Sequence, residues 1–567
     1  MPIKNLKSTG GSVIPTPVID PWVRPVDWLA LPAVANTAQK FVGLYAVYTE
    51  GNYITISASG AYTVDWGDGV VENYATGVTG YHNYDYSNAA FTGTDSSLGY
   101  RQAIVTITPQ SGQNLTSITF NTKHNQSGLT DGYATGWLDM LLSGTNLSIV
   151  NLGSGGVFPK HTNLQRFQLI STNTITSFNS MFQNCVCLQS VSLYTTSSGT
   201  NFNSMFNGCE SLQSVPLFDT SHGTDFASMF VSCSLLKAVP LYNVSLGTTF
   251  SSFLSGCNSL LTVPLFNFKT TGTISCSSMF SNCASLLSVP LFNTVAVTNM
   301  SYMFNNCRSL TSIPLFNTAN VTTFSNTFVG CASITSMPLL NMASATTLLL
   351  AFSGCYSLQT VPLFNTVNVN NFQQTFQNCN TLNTIPQLNT ASGTTFNSMF
   401  FSCFALKSIP LLNTAAGTNF SAMFSGCNVI PSIPSLNTGL ATDMSSMFAG
   451  CYALQTIPTL NTANNTNFNS MFSGCLNLKY VPAINCTAGT TFTTMFSGCY
   501  SLTTCKMINV KFSISYASCK LSNTALDEIY TNLPSTTGQT ITVTGNYGIA
   551  SDTPTIATGK GWTVTGS

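Results

Sequence analysis

The apolar positions of this chain fall into a pattern that returns every 24 residues. In the unit Phe202-Asn203-Ser204-Met205-Phe206-Asn207-Gly208-Cys209, residues Phe202, Met205, Phe206 and Cys209 stand at i, i+3, i+4 and i+7. That spacing predicts one face of a short helix. The residue before the repeat cysteine is Gly eight times, Asn four times and Ser twice. Gly and Asn accept a left-handed backbone, so the helix is expected to stop there. The period then changes. Leu212, Val215 and Leu217 follow the turn as a short strand segment, and each rung is expected to bury its Phe, Met, Phe, Cys, Leu and Val against the next. Pro216 and its equivalents through Pro482 occupy one position in twelve units. A proline removes a ladder donor, so the strand must be very short or end there. An asparagine column follows, from Asn243 to Asn485, whose side chains can satisfy backbone groups of their own loop and its neighbour.

Fourteen of the nineteen cysteines belong to this repeat, from Cys185 to Cys499, with every step 24 residues except one of 26. Zinc sites need ligands in close pairs, which do not recur here. The thiol therefore reads as a small buried hydrophobe repeated once per turn of a solenoid. Cβ vectors in register point the same way, so free thiols are expected rather than disulfides. Fourteen rungs at about 4.8 Å each would make a rod or gentle arc roughly 65 Å long.

The flanks differ. Residues 1–50 hold Pro15, Pro17, Pro21, Pro25 and Pro32 around Trp22 and Trp28, and read as an extended attachment arm, with the two tryptophans favouring docking on another subunit. Residues 51–109 read as a β-sandwich, with Asp68-Gly69 in a hairpin turn. Residues 110–162 read as a strand-rich transition that caps the solenoid, and 163–505 as the solenoid itself. Residues 506–567 form a terminal cap with a helix near Leu521–Tyr530 and strands at Thr540–Val543 and Trp562–Val564. The fold class is mainly β with short helices: an Ig-like sandwich, then a leucine-rich-repeat-type solenoid.

Two stretches carry resemblances. The unit from Thr298 to Ile313, with Asn299-Met300-Ser301-Tyr302-Met303-Phe304-Asn305-Asn306-Cys307 and then Leu310, resembles the BspA-like leucine-rich repeats and the related bacterial surface-protein repeat. That resemblance implies cell-surface adhesion rather than catalysis. Upstream, Tyr62-Thr63-Val64-Asp65-Trp66-Gly67-Asp68-Gly69, Tyr81-His82-Asn83-Tyr84 and Ala103–Pro109 resemble a polycystic-kidney-disease-type sandwich. Asp65, Asp68, Glu72 and Asp85 there have the oxygen ligands that calcium takes, although turn and hydrogen-bonding roles account for them better. The sandwich followed by a capped solenoid is similar to proteins encoded by tailed bacteriophages.

Composition sharpens the functional choice. Charged residues are 6% of 567, with 17 Lys plus Arg against 17 Asp plus Glu, where roughly 25% is usual. Only nine charges fall within residues 178–505. Nucleic-acid binding through phosphates is not expected without excess positive charge. No apolar stretch has the length of a membrane span, and the first residues lack the apolar run of an export signal. No cofactor or metal is expected. Within the solenoid Asp219 and Asp225 are the only carboxylates close in sequence, with Glu210 nearby, and they read as a solvated edge.

The expectation is thus a structural virion protein, on a fibre, tail or capsid surface, that displays a neutral solenoid to a host surface glycan or protein. Its arm would fasten to other virion proteins, and homo-oligomers are left open. A bacterial surface adhesin is the alternative, and a glycan depolymerase a minor one. The position after the cysteine varies most. Its aromatics Tyr356, Phe404, Tyr452 and Tyr500 recur on every second rung, which suits carbohydrate or protein contacts; shielding of the turn is the plainer role.

Overall fold

The computed structural model describes residues 22–50, 52–120, 122–125, 135–152, 161–171, 175–193 and 195–566. Pro15, Pro17 and Pro21 of the expected arm lie outside them. The fold is the expected one in class, a β domain followed by a solenoid of about 17 turns.

The β domain has two sheets. Strands β1 (Lys40–Val47), β2 (Tyr53–Ser59), β3 (Tyr62–Asp65), β4 (Val71–Tyr74), β5 (Thr79–Asn83), β6 (Arg101–Pro109), β7 (Ser117–Thr119), β8 (Trp137–Ser143) and β9 (Ile149–Asn151) build it. Two more, β10 (Arg166–Ser171) and β11 (Ser190–Leu193), extend the larger sheet, whose order is β11-β10-β8-β1-β6-β3-β4. The smaller sheet runs β5-β2-β7-β9. The sandwich therefore does not begin at residue 51. β1, expected in the arm, lies mid-sheet between β6 and β8, and β7 to β9 come from the expected transition segment. β1 is an apolar run because it is buried on both faces.

The solenoid grows out of this sheet. β10 pairs in parallel with β8 and with β11, so the sandwich edge templates the first rungs. One continuous apolar cluster then runs from Phe41 to Trp562.

Each rung departs from the helical expectation. The Phe-to-Cys stretch is a run of turns in all fourteen repeats. Two residues per repeat have positive φ: the one five before the cysteine, such as Ser204 (53°) or Ala422 (52°), and the one just before it, such as Gly208 (79°). Alternate amides leave the rung altogether. The amides of Phe202, Ser204, Phe206 and Gly208 donate to the carbonyls of Asp225, Ala227, Met229 and Val231 in the next rung. Those of Met205, Asn207 and Cys209 donate within the rung, three residues back. Tandem turns place apolar residues at the same i, i+3, i+4, i+7 positions as a helix, which is why the pattern misleads.

Stacked rings show the rung spacing. Phe202, Phe226 and Phe250 follow one another at 5.5–5.6 Å, whereas Phe266, Phe292 and Phe316 stand 6.0 Å apart. Both exceed the 4.8 Å of a continuous ladder, and the rungs spread toward the proline side. There the amide two residues beyond the proline turns back to the proline carbonyl, as in Tyr242 to Pro240 and Phe292 to Pro290, both 2.9 Å. This is a γ-turn, not a ladder. Longer strand pairing occurs beside rungs that lack the proline: β11 has Ser192 there, and β15 (Thr504–Ile508), with Lys506, pairs with β14 (Tyr480–Asn485), whose own Pro482 falls at a register shift between Val481 and Ile484. Of two short strands between them, β12 (Ile274–Ser275) lies within the 26-residue step and pairs in parallel with β13 (Val297–Asn299) of the following rung.

The C-terminal cap holds helix α1 (Asn523–Asn532), close to the expected helix, with the Ser522 hydroxyl accepting the Ala525 amide at 3.2 Å. Strands β16 (Ile514–Ser515), β17 (Gln539–Thr542) and β18 (Trp562–Thr565) continue the parallel stacking. Tyr516 closes the Phe column at 5.0 Å from Phe496.

The turn geometry gives a prediction with a decisive sign. In a helix, Ala422→Gly would cost about 1 kcal/mol. At a left-handed residue it removes a penalty of about 1–2 kcal/mol, so thermal melting should show Ala422→Gly stabilised and Ala422→Val destabilised.

Candidate functional site

The core of each rung fixes what can face outward. The buried thiols of the repeat, Cys209 to Cys499, donate to the carbonyl of a residue in the rung before, as Cys331 to Phe304 at 3.1 Å. All nineteen cysteines are free, and only Cys187 is less than fully buried. Burial pushes the thiols up, those of Cys355 and Cys403 to about 12, so thiolate is scarce at neutral pH. Beside them runs a hydroxyl ladder absent from the sequence reading. Buried threonines Thr220, Thr318, Thr366 and Thr414 donate to the carbonyl of the next rung's asparagine at 2.7–2.8 Å. A thiol reagent at pH 8 should label the native chain at Cys187 alone, and all nineteen cysteines after denaturation.

Three columns face outward. The asparagine column works mainly within its own rung: Asn389, Asn413 and Asn437 accept the amide two residues on at 3.1–3.2 Å, an Asx turn. Neighbour contact occurs at Asn267, which donates to Asn243 at 3.0 Å. The aromatics expected to be displayed are displayed: Tyr356, Phe404, Tyr452 and Tyr500 are 43–55% exposed.

The third column is aliphatic. Leu217, the last residue of the expected strand segment, is 70% exposed, and Phe218 is buried. In rungs such as those of Leu241 and Leu291 a γ-turn accounts for this, because the leucine sits at its apex and the following aromatic swings inward. Leu241, Leu265, Leu291, Leu315, Leu339 and Leu363 repeat this at 57–60% exposure. Seven consecutive rungs thus carry an aliphatic row with asparagine or aspartate two residues away. The repeating L-F-N-T was the available signal, once proline is allowed to break alternation. Where the row is interrupted by Gln387 and Ser435, on either side of Leu411, a groove of about 630 Å³ opens, lined also by Asn389, Asn413 and Asn437.

The carboxylates are spent locally. Asp219 and Asp225 accept the amides of Ser221 and Ala227 at 3.0 Å, as asparagines do in other rungs. In the sandwich, Asp65 and Asp85 accept the amides of Gly67 and Ser87 at 3.0 and 2.8 Å. Asp68 holds His82 at 2.8 Å, and Glu72 accepts from Trp66 at 2.8 Å and from Tyr74. These are turn and hydrogen-bonding roles rather than a calcium shell. Among the described residues no group of three or more His, Cys, Asp or Glu is placed to hold a metal ion.

The arm tryptophans are also occupied within the chain, which corrects the docking expectation for them. Trp28 is buried, donates to the Tyr100 hydroxyl at 2.8 Å, and covers Leu44, Ala46 and Leu138 on the outer face of the large sheet. Arg166 lies 4.9 Å from the Trp22 ring centroid and pairs with the fully buried Asp139 through two bonds of 2.7–2.8 Å. Arg24 reaches the same carboxylate and stacks 5.4 Å from the Trp28 ring. Asp139 is on β8 and Arg166 on β10, so this segment straps the junction of sandwich and solenoid.

Stacked rungs, buried thiols and a sandwich-templated start define a leucine-rich-repeat-type solenoid protein. The chain belongs to the family described as "Mycoplasma protein of unknown function, DUF285", which matches residues 155–265, 274–343, 346–455 and 418–518. No curated protein matches it. Among solved structures it is similar to a leucine-rich repeat protein from Eubacterium ventriosum (16% identity, 62% of this chain and 96% of that one, TM-score 0.36). It is also similar to the T. pallidum leucine-rich repeat protein (20% identity, 34% and 77%, TM-score 0.22). A third is InlJ of Listeria monocytogenes, described as including a cysteine ladder (12% identity, 69% and 72%, TM-score 0.19).

The Glu72 contacts predict acid sensitivity of the sandwich. Hydrogen bonds from Tyr74, then Trp66, outweigh burial and hold its carboxyl below the usual 4.5. Its contribution is therefore present above the unfolded pKa and lost as pH falls through the lower folded one. The melting temperature should drop below pH 4.5, and Glu72→Gln should flatten that drop.

Proposed function

We propose that this chain is a non-catalytic structural protein of a bacteriophage particle that binds a host cell surface through its solenoid. The observation that carries the reading is the character of the outward columns: aliphatic, aromatic and amide groups on a stacked frame with almost no charge. Recognition by such a surface depends on shape, apolar contact and neutral hydrogen bonds. That chemistry suits a neutral glycan or an uncharged protein patch. The groove at Gln387, Asn413 and Asn437 offers aliphatic and amide contacts together, within the size range of small-ligand sites. Nineteen free thiols accord with folding in a reducing host cytoplasm, where a virion protein is made. The arm beyond the strap would join the particle.

The BspA-like repeat itself favours a second reading, an adhesin on a bacterial surface. Gold-labelled antibody on purified particles and on uninfected cells separates the two.

The adhesive reading is tested by adsorption. A variant with Tyr356→Ser, Tyr452→Ser and Tyr500→Ser should bind host cells at least several-fold more weakly with an unchanged melting curve. Wild-type binding should change little with salt, since few charges are there to be screened. Unchanged adsorption by the variant would remove the aromatic column from the binding surface, and steep salt dependence would overturn the neutral mode.

A further inference from the structure

The leucine row asks for an explanation that folding does not supply. Within this one chain, Gln387 sits at the same γ-turn apex as Leu315, Ser435 and Thr459 follow the proline at the same repeat position, and the amides of these rungs still bond to the next one, as Phe396 to Asn419 and Phe420 to Asp443 do. Aliphatic character is therefore dispensable to the rung. It is nevertheless present without a break from Leu217 to Leu363, at 57–70% exposure. Seven such leucines present roughly 700 Å² of contiguous apolar surface, more than the few hundred Å² usual on a monomer. That is close to the ~800 Å² each partner contributes to a standard interface.

We propose that this row is where a second copy of the chain docks, antiparallel, about a two-fold axis near Leu291. A straight row of identical side chains is self-complementary under such an axis, which is what a closed dimer requires. The pairing sets Leu217 against Leu363, Leu241 against Leu339 and Leu265 against Leu315. A spacing near 6.0 Å, read from the adjoining Phe266, Phe292 and Phe316, is common to both copies, so the leucines stay paired one to one along the row. Charge selects the direction. Asp219 stands two residues beyond Leu217, and a parallel pairing would set it against itself, whereas the antiparallel one sets it against Asn365. The flanking asparagines form the polar rim of such an interface. The dimer leaves Tyr356, Phe404, Tyr452 and Tyr500 on a different column.

Sedimentation equilibrium tests the pairing. The wild type is expected at twice the 60.4 kDa chain mass. A variant with Leu291→Ser, Leu315→Ser and Leu339→Ser is expected at the single mass, with unchanged melting, because serine already serves at residue 435. Direction is tested with a short bismaleimide in a Cys187→Ser background, where the remaining thiols are buried. Leu291→Cys should cross-link to its own copy and Leu217→Cys should not. A monomeric wild type, a trimer, a dimer that survives the serine substitutions, or cross-linking through Leu217→Cys alone would each overturn the proposal.

Discussion

The structure rests on one division of labour in the backbone. Between the first phenylalanine and the cysteine of a rung, every second amide bonds locally and the others bond to the following rung. A rung on its own would leave four donors unmet, and a buried unmet donor costs about 1–3 kcal/mol. No rung can be complete without its neighbour. The two left-handed residues per repeat make the alternation possible, since they turn successive amides from the rung to the stack. Stacking then brings like onto like: Phe over Phe, Cys over Cys, Thr over Asn carbonyl. The two ends need other partners, and they have them. The large sandwich sheet supplies the first, and Tyr516 with α1 and β16 to β18 supplies the last.

The same division explains the outer edge. Only the Phe-to-Cys side is fully bonded between rungs, so that side is held close. The proline side has no comparable ladder and spreads. Where proline ends the strand, as at Pro240 or Pro290, a γ-turn takes its place, and the leucine at its apex is expelled. A single residue type at one position thus sets the spreading and the exposed row together. The strap at the other end has a related logic. Buried Asp139 needs partners, and Arg24 and Arg166 provide them from opposite sides of the junction, so the first rungs are held to the sandwich by charge as well as by sheet.

Much of this was legible in the sequence. The 24-residue period, the burial of the cysteines, the left-handed residue before each of them and the cap helix all follow from local residue chemistry. Two features did not. Hydrophobic spacing cannot separate a helical turn from tandem left-handed turns, and Ser, Ala, Tyr, Gln and Leu at the position five before the cysteine gave no glycine to betray the positive φ. Pro216 and its equivalents mark where the strand ends, but not that the leucine after each faces outward while the next residue turns in. β1 and Trp28 were missed for a different reason. Their burial depends on partners far along the chain, on β6, β8 and Tyr100, which no local pattern encodes.

Neutrality of the solenoid is then a consequence of stacking rather than a separate property. Like charges repeated at 5.5–6.0 Å would repel by about 1 kcal/mol per pair in water and by several at a protein surface. Charges are admitted only singly. Asp219, Asp225 and Asp443 each replace an asparagine-type acceptor and take the amide two residues on, Asp443 at 2.9 Å from Ser445. None has a charged neighbour in the adjoining position of the next rung. Lys237, Lys407 and Lys479 share one column and are likewise separated by uncharged rungs. A repeat stacked this closely cannot recognise a partner through patches of charge. What it can vary from rung to rung without cost is the shape and apolarity of its turn apices and of the residue after each cysteine, and those are the positions where the leucine row and the aromatic column stand.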